Sequence, residues 1–258
     1  MIDDEWTVGL YGKLPSHGDF LRRRLSDDFV RTWDEWLQRG MDASRSAFGD
    51  QWLDIYLTSP VWRFACAAGA CGAMPAIGVM APSVDRAGRS FPMTIAACLP
   101  SWVDPIAAMT HGEAFFQRAE QVAIDTLTAE CVDFAEFDDQ VMALTTLLTD
   151  VCDLALHVEP SALAIVNADS SIAWQIALPS LSHMSTTFER LLAMQIGSRY
   201  QPAVIWSTEG SARIVPTCLV RRGLPDAASF VALFDGAWTE RDWKSVVAQV
   251  PASSFVPS

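Results

Sequence analysis

Ala76-Ile77-Gly78-Val79-Met80 and Met93-Thr94-Ile95-Ala96-Ala97-Cys98-Leu99 are two short apolar runs joined by Ala81-Pro82-Ser83-Val84-Asp85-Arg86-Ala87-Gly88-Arg89-Ser90-Phe91-Pro92. Runs this short, free of charge and bounded by proline and glycine, read as buried strands rather than helices. The connecting loop exceeds the usual hairpin length of about 2–5 residues. Just upstream, Val61 to Ala81 contains Arg63, Gly69, Gly72 and Pro75 and is built from small residues, so it reads as a buried strand pair with a Gly-rich connection, not a membrane span. Hairpin-like neighbours outweigh strict strand–helix–strand alternation. The expected fold class is therefore α/β of the α+β kind: a central mixed, mostly antiparallel sheet with helices packed over it.

Outward from this centre, the alternation Trp6, Val8, Leu10 predicts a first strand with one buried face, and Gly12 to Asp19 a loop. Ser26 is a good N-cap, Asp27 and Asp28 suit a first helical turn, and Phe29, Trp33, Trp36, Leu37 and Gly40 form a helical core stripe. Thr110 and Glu113 have capping-box spacing before an amphipathic helix, which buries Phe115, Phe116, Ala119, Val122, Ala123 and Leu127 and exposes Gln117, Arg118, Gln121 and Asp125. Asp138 and Asp139 open a further helix carrying Val141, Leu144, Leu148 and Val151. Beyond it, Ala162 to Val166 and Ile172 to Ala177 read as a hairpin, Leu181 to Leu192 as a helix ended by Gly197, and Ala203 to Trp206, Arg213 to Cys218 and Phe230 to Phe234 as strands. Pro216 places its strand at an edge or shortens it. Thr239 to Val250 reads as a last helix. No linker or repeat interrupts the chain, so one domain spanning residues 1–258 is expected, with a motif-rich half at about 7–130 and a less distinctive one at about 131–258.

Lys and Arg number 18 against 31 Asp and Glu, a formal charge of −13, while half the residues are hydrophobic. That balance excludes a disordered tail protein and disfavours both nucleic acid and anionic lipid as partners, since phosphate affinity comes largely from Lys and Arg. The six cysteines (Cys66, Cys71, Cys98, Cys131, Cys152, Cys218) follow no basic or apolar leader, and free thiols in a cytoplasmic protein without direct membrane insertion are expected.

Ser16, His17 and Asp19 are the residue types of a hydrolase triad, but three neighbours on one loop rarely converge from the directions a triad needs. An enzyme reading would require one of them to meet a second polar group in a concave pocket. Gly9-Leu10-Tyr11-Gly12-Lys13-Leu14 fails as a phosphate loop because its glycines are too close and Leu14 replaces the magnesium-binding hydroxyl. Cys66 and Cys71 lack a second ligand pair at zinc spacing, and His17, His111, His157 and His183 are scattered. No catalytic, cofactor or metal site is expected. Arg22-Arg23-Arg24 and Arg221-Arg222 are solvated charge or a meeting place for an acidic partner. Arg86 and Arg89 either bond Asp85 within their loop or offer guanidinium forks to a partner. Of the ten tryptophans, Trp62, Trp102 and Trp206 stand outside the core stripes; buried packing is the main reading, and an exposed one would anchor an interface.

Tyr11-Gly12-Lys13-Leu14-Pro15-Ser16-His17-Gly18-Asp19-Phe20, Trp33 with Trp36, Ser59-Pro60-Val61-Trp62-Arg63-Phe64 and Pro82 to Pro92, taken in order, resemble the TagF (also called ImpM) family of type VI secretion-associated proteins. The second half is similar more loosely, through Trp206-Ser207-Thr208-Glu209-Gly210 and Arg222-Gly223-Leu224-Pro225, and Ser207 stands where relatives often carry a second Trp. Some relatives carry a fused phosphatase domain, and none is expected within residues 1–258. The resemblance implies a bacterial, non-enzymatic, cytoplasmic regulator: a post-translational repressor of type VI secretion that engages the forkhead-associated scaffold protein of the apparatus. An assembly accessory of the apparatus is the alternative, and a homodimer remains open. The expected partner-binding residues are Lys13, Ser16, Asp19, Asp85, Arg86, Arg89, Trp206 and Glu209, on three loops gathered at one edge of the sheet.

Overall fold

The computed structural model describes residues 6–129, 131–156 and 199–244. Its strands are β1 (Gly9–Gly12), β2 (Leu21–Arg23), β3 (Trp62–Cys66), β4 (Ala76–Ala81), β5 (Met93–Cys98), β6 (Ala203–Thr208) and β7 (Thr217–Arg222). They make one sheet in the order β2-β1-β5-β4-β3-β6-β7, with every neighbouring pair antiparallel. The two runs that opened the sequence reading are β4 and β5, with Val79 opposite Ile95 and Gly78 opposite Ala96. β3 and β4 are the buried pair expected across Val61 to Ala81.

Helices cover both faces of the sheet, which explains runs that are uncharged and almost wholly apolar instead of alternating. On one face α1 (Asp27–Phe48) and α2 (Trp52–Leu57) pack with α7 (Ala227–Asp235) over Phe64, Met80 and Trp206. On the other, α3 (Pro105–His111), α4 (Glu113–Thr128), α5 (Phe134–Ala143) and α6 (Thr145–Leu156) pack over Ala65, Ile77, Val79 and Ile95. In α1 the stripe Phe29, Trp33, Trp36, Leu37 and Gly40 is buried as predicted. Its indoles also tie layers together: Trp33 Nε1 donates to Thr94 Oγ1 on β5 at 2.9 Å, and Trp36 Nε1 donates to the Pro225 carbonyl at 2.7 Å. Gly40 lies under Phe230 of α7, where a Cβ would meet three ring atoms at 2.4–2.5 Å.

Five local expectations give way to tertiary context. β2 was not foreseen: Leu21-Arg22-Arg23 pairs with β1 instead of leading directly into α1. Thr110 and Glu113 form no capping box, because Thr110 Oγ1 donates back to the Ile106 carbonyl and Gly112 is the cap position of α4. α5 starts at Phe134, with Asp133 accepting from the Ala135 and Glu136 amides, so Asp138 and Asp139 lie inside it. The strand predicted at Arg213 to Cys218 begins after Pro216 and runs to Arg222. Phe230 to Phe234 is helix: Asp226 accepts from the Ser229 amide, Phe230, Leu233 and Phe234 share a buried stripe, and Gly236 ends the helix with φ of 71°. That left-handed conformation favours glycine. Where the last helix was expected, Thr239–Arg241 forms only a short 3-10 turn, which Asp242 ends with φ of 63°, and Trp243 and Lys244 are not helical; residues 245–250 lie outside the described residues. The hairpin at 162–177 and the helix at 181–192 also lie outside them.

Candidate functional site

Lys13 follows β1 directly, and Asp85 sits in the loop that leaves β4. Asp85 is buried and saturated: Oδ2 accepts from Lys13 Nζ at 2.8 Å and from Arg89 Nε at 2.7 Å, while Oδ1 accepts from the Ala87 and Arg89 amides, each at 2.9 Å. The hydrogen bond from Lys13, with those from Arg89 and Ala87, holds the Asp85 carboxyl well below the usual carboxylate range. More bonds fix the two loops to each other. The Arg86 amide donates to the His17 carbonyl at 3.1 Å, Ser83 Oγ donates to the Lys13 carbonyl at 2.7 Å, and Arg89 Nη2 donates to the Gly18 carbonyl. Tyr56 of α2 anchors the far side, its hydroxyl donating to the Ser83 carbonyl and accepting from the Ser83 amide, each at 2.8 Å. Burial pushes the Tyr56 hydroxyl up, so it stays protonated.

The predicted residues thus divide by role. Lys13 and Asp85 are buried and build the joint; their side chains are not a contact surface. Of the two readings of the loop arginines, the internal bond is seen at Arg89, which bonds Asp85 and keeps 60% of its side chain exposed; Arg86 is exposed. Ser16 Oγ lies 2.8 Å from His17 Nδ1, while Asp19 is exposed and bonds neither, so no triad assembles there. The third loop follows β6. By register, the ends of β1, β4 and β6 and the starts of β3 and β5 share one end of the sheet. Three strands separate β6 from β1, a span of about 19 Å at the usual interstrand spacing. Two of the three loops are therefore fused, and the third stands apart at the same end.

Trp206 corrects one expectation. Its indole is fully buried, its centroid 5.9 Å from Trp33, 5.4 Å from Trp36 and 5.5 Å from Phe64, and it offers nothing to a partner. Alternation along β6 turns it inward, opposite Phe64 on β3. Trp62 is buried as well, its Nε1 donating to the Leu233 carbonyl, whereas Trp102 is half exposed and edge-on to Trp6. Glu209 is exposed and stands 4.0 Å from Arg63.

Arg63 is the residue the sequence reading passed over. It is buried on β3 and forks onto Glu120 of α4, with Nε–Oε1 2.8 Å and Nη2–Oε2 2.7 Å, while Nη1 meets Glu113 at 2.8 Å. These bonds, chiefly that to Glu120, hold the guanidinium more firmly protonated than usual. The available signal was an arginine inside an apolar strand together with two glutamates seven residues apart on one helix. Arg22-Arg23-Arg24 has a similar internal use: Arg22 pairs with Asp27, and Arg24 donates to the Val8 carbonyl and to Asp138 of α5.

A cleft of about 560 Å³ opens beside the fused loops, lined by Phe20, Arg45, Trp52, Leu53, Arg89 and Phe91 among others. Lys13 Nζ lies 5.0 Å from the Phe20 ring centroid, and the Arg45 guanidinium 4.6 Å from that of Trp52. Among the described residues, no group of three or more His, Cys, Asp or Glu is placed to hold a metal ion, and no helix is long and apolar enough to cross a membrane.

Residues 9–144 match the TagF N-terminal domain, described as type VI secretion system-associated. No curated protein matches the chain. Among solved structures, PA0076 from Pseudomonas aeruginosa PAO1 is 31% identical, with a TM-score of 0.68 over 97% of this chain and 100% of that one. The fused loops, which hold the Gly-Lys-Leu-Pro and Pro-Ser-Val-Asp-Arg motifs, lie wholly within the matched residues. The chain belongs to the TagF family of type VI secretion system-associated proteins.

Proposed function

We propose that this protein is a non-enzymatic, cytoplasmic, post-translational repressor of type VI secretion that binds the forkhead-associated scaffold protein of the apparatus. The observation that carries the reading is the fused pair of loops at one end of the sheet. Buried Lys13 and Asp85 spend their charges on holding Gly12 to Asp19 against Asp85 to Arg89, and the outcome is a rigid platform with Arg86, Arg89 and Phe20 on its outside. A prefixed surface with exposed guanidinium and aromatic groups suits protein recognition, since little ordering entropy is lost on binding. Family membership supplies the secretion system, and the fused loops supply the surface.

Calorimetric titration against the scaffold protein of the same organism tests this reading. Saturable binding, weakened at least tenfold (about 1.4 kcal/mol) by Arg86→Ala with Arg89→Ala, is expected. Absence of binding to the intact protein would sink it. A gene deletion separates the runner-up role: loss of a repressor raises secretion, while loss of an assembly accessory abolishes it.

A further inference from the structure

We infer that the cleft between the fused loops and the α1–α2 corner is a docking groove for a short acidic segment of a partner protein that carries one large apolar side chain. The inference rests on the protein-binding reading above and adds the chemistry of what is bound. Its floor is aromatic and partly open. Phe20 and Leu53 each leave 48% of their surface exposed, and Trp52 and Phe91 line the same cleft. Phe20 and Phe91 meet edge to face with centroids 4.8 Å apart, so the Phe20 ring is held in place while remaining open on one side. That is a seat for one aromatic or branched aliphatic side chain.

The walls are cationic in a chain whose formal charge is −13. Arg45 leans over Trp52 from α1, and Arg89 enters from the loop. Arg45 pairs with Asp42 only at the surface, at 3.0 Å between side chains 45% and 79% exposed, and such a pair is readily exchanged. Arg89 gives Nε to Asp85 and Nη2 to Gly18, so a single edge of its fork remains. Arg45 also reaches the Ser90 carbonyl with Nη2 at 3.5 Å, so two guanidinium groups, each partly bonded within the protein and carried on different elements, match isolated carboxylates spaced along a peptide better than one dianionic phosphate, which would need both forks turned to one point. Charge complementarity with this local positive wall selects an acidic segment. The apolar floor then selects the residue between the acids.

Fluorescence anisotropy with a labelled hexapeptide series tests the inference on the full chain. Each probe carries five Glu or Asp and a single Phe or Leu, moved through successive positions along the series, and each has a Lys-substituted counterpart. At least one acidic probe is expected to bind saturably below millimolar concentration and its Lys counterpart at least tenfold more weakly. Arg45→Ala, Leu53→Ala and Phe20→Ala, all at exposed positions and checked for unchanged melting, should each weaken the acidic probe, whereas Arg118→Ala on α4 should not. No saturable binding by any acidic probe, or binding indifferent to these variants, overturns the inference. So does a concentration-dependent dimer, seen by sedimentation and broken by the same variants, which would assign the groove to a second copy. The forkhead-associated scaffold protein is titrated against the same variants. If the peptide binds the groove and the scaffold fails to bind intact protein, the repressor reading falls alone; if the scaffold binds and every peptide fails, the groove falls alone.

Discussion

Gly40→Ala tests whether the contact between α1 and α7 is set by the missing Cβ. In an exposed helix the change would favour folding by about 1 kcal/mol, because glycine is the poorer helix former. Here the new methyl would stand 2.4 Å from Phe230 Cδ1 and Cγ and 2.5 Å from Cδ2. Carbon atoms at rest sit about 3.5–4.0 Å apart, so an overlap of more than 1 Å must be relieved. The ring has little room to retreat, since Phe230 is fully buried with Trp36 at 5.0 Å and Phe234 at 5.2 Å between centroids. Overpacking of a tight core costs about 1–3 kcal/mol, a clash of this depth belongs to the upper half of that range, and after the helix gain of about 1 kcal/mol a net loss of about 1–2 kcal/mol is expected. For a chain of this size that lowers Tm by about 2–8 °C. Urea unfolding and thermal melting of Gly40→Ala, Phe230→Leu and the double variant supply the measurement. In the double variant the smaller side chain takes in the methyl, so the two changes should be coupled by about 1 kcal/mol or more. A Gly40→Ala protein as stable as the parent would refute the argument.

Four further outcomes are expected. Asp85 has its carboxyl pKa lowered in the folded protein, so its stabilising effect is complete above the unfolded value of about 3.9 and is lost as pH falls through the lower folded value; the stability advantage of the parent over Asp85→Asn should therefore hold from pH 7 to about 5 and shrink below about 4 in acid unfolding. Arg63→Met leaves Glu120, with only 15% of its side chain exposed, beside Glu113 without their cation, and a loss of about 3 kcal/mol in urea unfolding is expected, less when combined with Glu120→Gln. Trp33→Phe keeps an aromatic ring but leaves Thr94 Oγ1, on a fully buried threonine, without its donor; a loss of about 1–3 kcal/mol by urea unfolding is expected, and Thr94→Val added to it should recover part. Trp102→Ala removes a half-exposed ring that meets Trp6 edge-on, and a Tm shift far smaller than that of the fully buried Trp206→Ala is expected in thermal melting.

The centre of the sheet was legible because β4 and β5 carry no charge, are apolar at every position but Thr94, and are flanked by prolines. α1 and α4 were legible because their stripes repeat at helical spacing over several turns. Legibility failed where local pattern and tertiary context part. Phe230 to Phe234 is a short apolar run that periodicity alone assigns to neither class, and the deciding signals, Asp226 before it and Gly236 after it, are single residues. Leu21-Arg22-Arg23 carries too much charge to look like a strand; it is one because β1 offers an edge and because Arg22 and Arg24 are satisfied by Asp27 and Asp138. At the site, the motif loops could be chosen from sequence, but not which side chains face out. Lys13 and Asp85 look like surface charges until their 72-residue separation is closed by one 2.8 Å bond. Arg45, Trp52 and Leu53 belong to a different stretch of chain and come to the cleft only through the α1–α2 corner.

The strand order carries a consequence for how this family is dissected. β3 is bonded on one side to β4 and on the other to β6, with Ala65 facing Ile205 across 140 positions. Residues 9–144, by which the family is recognised, stop short of β6, β7 and α7. A fragment ended there would strip the ladder from one side of β3 and bare the faces of Trp33 and Phe64 on which Trp206 is stacked. Such an open edge beside uncovered aromatic rings invites strand-to-strand aggregation between molecules. The recognisable stretch and the autonomous folding unit are therefore not the same piece of polypeptide, and the latter extends at least through the helix that ends at Gly236.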